Sequence, residues 1–269
     1  MQGGVIYDFG MNNGDDVEYY LLKADKVVGV EANPALCKAV EERFAQEIAA
    51  GRLVILNVAL STEDSGRSLD FYIHRTNHVL SQLAAPGLEN AEEFERVEVL
   101  CRRPSEVIRD HGAPRYVKVD LEGMDGAVLR EIFRAGIHPP EISAESHSVD
   151  VYAALVDAGY KAFSLVDGWS VAEKYRDAFI ETSNGRQAFH FKAHSAGPFG
   201  ADVRSEWQDP ETFFYTLASA GLGWKDIHAS YFIEPAPAPS FGKRLGRQTL
   251  ALARQFLRGA RAYVTSKDR

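Results

Sequence analysis

Short apolar runs alternate with stretches of helical period across residues 4–166. Residues 5–9 (VIYDF), 26–30 (KVVGV) and 52–58 (RLVILNV) read as strands, with a short helix at 15–22 and a longer one at 34–49 between them. Asn33 suits the N-cap of the longer helix, because its side chain can accept from an otherwise unpaired amide. Pro34 suits the first turn, where no amide is needed. The third strand gives out at Ala59, Leu60 and Ser61. The alternation resumes with strands at 115–121, 141–145 and 161–166 and helices at 125–135 and 148–158, the second capped by Ser148. Between the halves, 69–73 and 96–100 read as extra strands around a polar loop. Past residue 166 the pattern loosens, with one strand expected at 188–193. This spacing predicts parallel strands joined by crossover helices, an α/β fold on a doubly wound, mostly parallel sheet.

Charge is unevenly placed along that pattern. Residues 243–269 carry eight Lys and Arg against Asp268 alone, a net +7 that leaves −15 on the remainder of a chain whose total is −8. Residues 234–242 (EPAPAPSFG) are proline-spaced and read as a stiff linker. The domain reading is therefore a sheet domain at 1–200, a small C-terminal extension at 201–233, the linker at 234–242 and a basic tail at 243–269. Wound as a helix, 243–264 gathers Leu245, Leu252, Phe256 and Tyr263 on one side and its arginines on the other. Such a helix suits an anionic membrane surface. It equally suits self-association, or packing on the acidic body of the protein.

The overall negative charge argues against a general nucleic-acid binder. The apolar runs fall short of the about 20 residues that span a bilayer, and the sequence after Met1 has no secretory pattern. Cys37 and Cys101 are too few for a disulfide framework. A cytoplasmic protein is expected, peripheral to the inner face of the membrane if the tail binds lipid.

Candidate chemistry lies at the carboxyl ends of the strands, where open α/β sheets hold their ligands. Asp8, Gly10, Asn12 and Gly14 follow the first strand as D-x-G-x-N-x-G. That differs from the G-x-G-x-x-G of dinucleotide sites, and Asp15 and Asp16 at the helix start would repel a pyrophosphate. A ligand carrying a free amino group suits the rim better. Glu31, ending the second strand, has two acceptor oxygens for the hydroxyls of a ribose. Together they indicate an adenosine-bearing ligand.

Four blocks, YDFGMNNGDD at 7–16, VVGVEANP at 27–34, NVALSTEDSG at 57–66 and YVKVDLEGMDGAVL at 116–129, resemble the FkbM-type family of S-adenosylmethionine-dependent methyltransferases. The resemblance covers roughly residues 4–166 and implies a Rossmann-like fold of the class I methyltransferase type. It also implies S-adenosylmethionine as cofactor. On that basis Asp8, Gly10, Asn12 and Gly14 line its methionine end, and Glu31, with Ala32 and Asn33, holds the ribose. Ala59, Leu60 and Ser61 flank the adenine, and Asp120 belongs to the same cofactor-binding set. Met11 stands where the family usually has alanine. Little sequence precedes the first strand to cover the cofactor, so a lid is expected from beyond residue 166 or from another subunit.

Methyl transfer needs the acceptor aligned and often deprotonated. The candidate catalytic groups are Asp120 and Glu122 after one strand and Glu145 and His147 after the next. Each also has a structural reading: Asp120 as a ligand of loop amides, Glu122 as a brace for Gly123, His147 as a surface residue. The acceptor expected from the resemblance is a sugar, a glycan or a related small molecule, methylated on oxygen. Trp169, Trp207 and Trp224 near Asp167, Asp202 and Asp226 would suit a sugar, or fill a small core. His74 with His78, and His190 with His194, are expected not to bind metal, and no metal is expected elsewhere. An NAD-linked oxidoreductase and a non-catalytic membrane-surface or partner-binding protein are the alternatives.

Overall fold

The computed structural model describes residues 4–237 except 64, 183, 184 and 194. The basic helix expected at 243–264, the linker from residue 238 and His194 lie outside the described residues. Val5–Phe9 forms β1, and every one of its residues is buried, as a strand covered on both faces requires. Successive side chains take opposite faces. Val5, Tyr7 and Phe9 join one core cluster and Ile6 the other, so Asp8 stands on the Ile6 side.

α1 (Val17–Lys23), β2 (Lys26–Glu31), α2 (Pro34–Arg43), α3 (Ala45–Ala49) and β3 (Leu53–Asn57) follow. β2 runs parallel to both β1 and β3. Asn33 caps α2, its side chain accepting from Ala35 N at 3.0 Å. The single helix expected at 34–49 breaks at Phe44 (φ −113°, ψ 29°), whose ring lies 4.6 Å from the Arg43 guanidinium.

Ala59 and Leu60 form a short strand, β4 (Ala59–Leu60), parallel to β6 (Phe94–Arg102), which is antiparallel to β5 (Ser68–His74). This small sheet has its own core of Ala59, Phe71, Val99 and Cys101. α4 (Pro104–His111), unforeseen in the sequence, leads to β7 (Pro114–Val119), α5 (Asp125–Arg134), β8 (Glu141–Ser146), α6 (Val149–Asp157) and β9 (Ala162–Asp167). Ser148 occupies the N-cap of α6 without a side-chain capping bond; Val151 N reaches its carbonyl instead, at 3.4 Å.

α7 (Val171–Lys174) precedes a hairpin of β10 (Ala178–Thr182) and β11 (Gly185–Phe189), where the sequence suggested one strand slightly later. α8 (Pro210–Ala220) and β12 (Gly223–Ser230) complete the described chain. The main sheet has the order β3-β2-β1-β7-β8-β12-β9, with β12 antiparallel to both its neighbours. The sheet is the Rossmann-like, doubly wound one that the alternation predicts. Residues 201–233 are built into it, since β12 fills the gap between β8 and β9. Strand order reverses between β1 and β7, which opens the crevice where such sheets bind ligands.

Candidate active site

At the end of β1 the chain doubles back over β2, with the amides of Gly10 and Met11 both donating to Val30 O at 3.0 Å. Gly10 takes φ 86°, and a Cβ there would stand 1.8 Å from Asp120 O. Only glycine permits that approach. Asn12 is left-handed, at φ 52°, a geometry that asparagine tolerates better than most residues. Its amide donates to Glu31 Oε2 at 2.9 Å, while Asn33 N donates to Glu31 Oε1 at 2.8 Å. Met11, the departure from the family pattern, is buried over Gly29, where a Cβ would meet its sulfur at 2.3 Å.

The cradle has ligand capacity built into it. Among the described residues, both carboxylate oxygens of Asp8 and the side-chain oxygen of Asn12 are buried without a hydrogen-bond partner. Buried acceptors are normally satisfied, so these three point to a donor such as the amino group of a methionine moiety. Glu31 has a further lone pair on each oxygen for ribose hydroxyls. The residues therefore fit S-adenosylmethionine. Burial pushes the Asp8 carboxyl up to about 7; nearby Lys118 opposes this, while Asp16 and Asp120 reinforce it. Burial likewise raises Glu31, against the pull of its amide donors.

Lys118, which the sequence reading passed over, is buried on β7 beneath the cradle. Its Nζ lies 3.5 Å from Asp8 Oδ1, 3.2 Å from Asp120 Oδ2 and 3.4 Å from Gly10 O. Burial alone would lower its pKa, but Asp120, Asp8, Asp16 and Asp226 outweigh that and hold it well above the usual lysine range. Lys118 is thus a fixed cation. Asp15 and Asp16 do not form an open acidic rim. Lys192 Nζ is 2.9 Å from Asp15, and Asp16 accepts from the Ser195 hydroxyl and, at 3.0 Å, from Ala196 N. Lys192, Ser195 and Ala196 are thereby tied to the turn that carries Asn12 and Gly14. They come from the region beyond 166, one of the two sources considered for a cover.

The four candidate catalytic residues converge. His147 Nε2 lies 2.8 Å from Glu145 Oε2 and 3.6 Å from Glu122 Oε2. Glu145 also feels the negative charge of Asp120, whose carboxylate lies 3.2 Å from Lys118 at the cradle. Burial first, then Asp120, Asp226 and Glu122, push Glu145 far above the usual carboxylate range, the result expected when acids share one site. Glu122, Glu145 and His147 offer ligand atoms within 4.8 Å of one another, a spacing that could also hold a divalent cation.

Two other acids complete the arrangement. Asp125 accepts from Leu121 N and Gly123 N, both at 3.1 Å, and so performs the loop bracing considered for Asp120 and Glu122. Glu122 itself is left-handed at φ 47°, a strained conformation for a non-glycine residue. Asp226 on β12 pairs in register with Glu145, and burial raises its pKa well above normal. Asp226 stood out in the sequence only beside Trp224; its place next to Glu145 was not legible, because the two strands are distant in sequence.

The remaining expectations divide. Ala59, Leu60 and Ser61, the residues expected to flank the adenine, are all buried, Leu60 in the main core and Ala59 in that of the small sheet. Ala32 packs on the same small core as Ala59. Trp169 and Trp224 meet edge to face, their centroids 4.7 Å apart, with Trp169 80% exposed, whereas Trp207 packs against the core. His74 Nδ1 accepts from Thr76 N and Asn77 N, and His190 Nδ1 lies 2.9 Å from Arg176 O.

A family model described as the methyltransferase FkbM domain matches residues 8–162. Among solved structures, the methyltransferase FkbM from Methylobacillus flagellatus KT is 15% identical, with a TM-score of 0.40 over 60% of this chain and 39% of that one. The SAM-dependent O-methyltransferase from Thermotoga maritima is 10% identical, with a TM-score of 0.40 over 88% and 62%. The precorrin-8w decarboxylase from Methanobacterium thermoautotrophicum is 12% identical, with a TM-score of 0.36 over 70% and 76%. The chain thus spans less than two thirds of the first two proteins. No curated protein matches its sequence. Matched over more than half its length, and with a cradle that fits S-adenosylmethionine as methyl donor, the chain belongs to the FkbM methyltransferase family.

Proposed function

We propose that the protein is an O-methyltransferase acting on a hydroxyl of a sugar, a glycan or a related small molecule. The observation that supports this most is the junction at Asp120, whose carbonyl lies against Gly10 of the cradle and whose charge acts on Glu145, 2.8 Å from His147. S-adenosylmethionine, when bound, supplies an electrophilic methyl group on a sulfonium. Asp8 and Asn12 would hold its amino group and Glu31 its ribose, which fixes the direction of the methyl. Such alignment can account for ~7–11 kcal/mol of a barrier. The Glu145–His147 pair takes the proton of the acceptor hydroxyl, a role that contributes ~10²–10⁴-fold in rate. Lys118 keeps Asp8 and Asp120 in place without titrating. No described helix is long and apolar enough to cross a membrane.

A second reading follows from the convergence of Glu122, Glu145 and His147, which could place a divalent ion beside the acceptor. Kinetics and calorimetry separate the two. His147→Ala and Glu145→Gln should lower kcat by ~10²-fold or more, and Asp120→Asn and Glu122→Gln should lower turnover more than cofactor affinity. EDTA should leave the wild-type rate intact. Loss of activity in EDTA, restored by Mg²⁺ or Mn²⁺, would assign the cluster to a metal. Full turnover in both His147→Ala and Glu145→Gln would place the base elsewhere, and binding of NAD in preference to S-adenosylhomocysteine would overturn the cofactor reading.

A further inference from the structure

His74, Leu80, Ser81, Gln82, Asn90, Glu93 and Phe94, from the facing ends of β5 and β6 and the chain between them, line a half-open cavity of about 270 Å³ together with Glu122. Glu122 is therefore common to two places. It lies 3.6 Å from His147 in the catalytic cluster, and it closes a space lined from a separate part of the fold. Its left-handed backbone, braced by Asp125, holds it at that junction.

The cavity is polar in a particular way. Ser81 Oγ accepts from His74 N at 3.1 Å and retains its own proton to donate. The Gln82 side chain is oriented by a bond from its Nε2 to Ala84 O at 2.9 Å, and Asn90 adds a second amide. Phe94 supplies an aromatic ring, itself packed edge-on against His74 at 4.9 Å. Fixed hydroxyl and amide groups around one aromatic ring suit a ligand with many hydroxyls and an apolar ring face. The volume is near the lower end for small-molecule pockets, about 300 Å³, and so fits one ring. Glu93, which lies 3.4 Å from His74 Nε2, and Glu122 both line it, and no Lys or Arg does. An anionic ligand would be repelled from it.

We propose that this cavity is the acceptor subsite and that it takes a single uncharged polyhydroxylated ring, such as a neutral hexose unit, in preference to a phosphosugar or a uronic acid. The proposal rests on the methyltransferase reading of the Glu145–His147 site. One ring seated here brings a hydroxyl towards Glu122, beside the group that removes its proton. Asn90 lies in an exposed part of the wall, so a larger side chain there fills the cavity with little effect on the core.

The test uses the full chain, radiolabelled S-adenosylmethionine and a panel of acceptors. Methyl α-glucoside, methyl α-mannoside and methyl α-rhamnoside stand against glucuronic acid and glucose 6-phosphate. The expected result is transfer to at least one neutral glycoside and not to the anions. Asn90→Trp should raise its KM at least tenfold while S-adenosylhomocysteine affinity stays within twofold, and Glu93→Gln should narrow the preference over the anions. Transfer favouring the anions, no transfer to any neutral glycoside by a chain that binds S-adenosylhomocysteine, or an unchanged KM in Asn90→Trp would each overturn the proposal. A chain that does not bind S-adenosylhomocysteine at all would instead overturn the methyltransferase reading on which it rests.

Discussion

Two backbone amides, those of Asn12 and Asn33, donate to the carboxylate that is also placed to hold the ribose. Glu31 therefore acts on the cradle before any ligand arrives, fixing the left-handed turn at Asn12 and the entry to α2. A buried amide deprived of its acceptor costs about 1–3 kcal/mol. Glu31→Ala should thus weaken S-adenosylhomocysteine binding by one to two orders of magnitude and also lower the thermal midpoint of the free protein. Glu31→Gln, which keeps one acceptor oxygen, should do less of both. Calorimetry and thermal unfolding of the two variants measure this. An unaltered affinity in Glu31→Ala would remove the residue from the ribose site, and an unaltered midpoint would mean that its amide bonds are replaceable. The strand-end position and the carboxylate were plain in the sequence, but the structural duty was not, since it depends on a backbone turn that no side-chain pattern encodes.

At the scale of elements, the turn from Asp120 to Asp125 determines how the β7 end presents its acids. Asp125 accepts two amides of that turn, and Glu122 keeps its strained backbone only while they are held. Asp125→Ala should relax the turn, lowering kcat about tenfold or more with little change in cofactor affinity, together with a loss of stability. Steady-state kinetics beside calorimetry would show the split, and equal losses in both would mean that the turn serves the cradle instead. The parallel half of the sheet was legible because β1, β2 and β3 are mainly apolar runs and helical stretches separate them from one another and β7 from β8. β12 was not, because GWKDIHAS carries Lys225, Asp226 and His228 in a strand whose burial comes from its neighbours. His228 is buried deeply enough that its pKa falls to about 3, so it is a neutral core residue. The small sheet was visible as strands, but its cavity depends on Glu122 from outside it, a contact that no local pattern announces.

Across the whole molecule, burial raises Asp8 to about 7 and lifts Glu145 and Asp226 as well. Carboxyls of the unfolded chain titrate near 4, so the folded protein holds extra protons over the interval between. These groups therefore add most stability at low pH, and that contribution is lost as pH rises from about 4 through 7 and above. A ligand carrying a positive charge favours the ionised form of Asp8 and acts in the opposite sense. The increase in melting temperature produced by S-adenosylmethionine should grow from pH 5.5 to 8. Scanning calorimetry across that range checks it, and an increment independent of pH would mean that Asp8 is already ionised in the free protein.

The position of β12 also bears on how the chain acquires its structure during synthesis. β8 and β9 emerge from the ribosome well before residues 223–230, yet neither can pair with the other, because the strand between them has still to be made. The nascent chain therefore carries an open edge on β8 and an unpaired β9 while most of its core sequence is already available. Open edges of this kind are templates for intermolecular pairing, and long-range pairings form late. Asp226 arrives on that same strand, so the completed charge balance around Lys118 and Glu145 coincides with closure of the sheet. A partly synthesised chain thus exposes pairing surfaces that the finished fold covers.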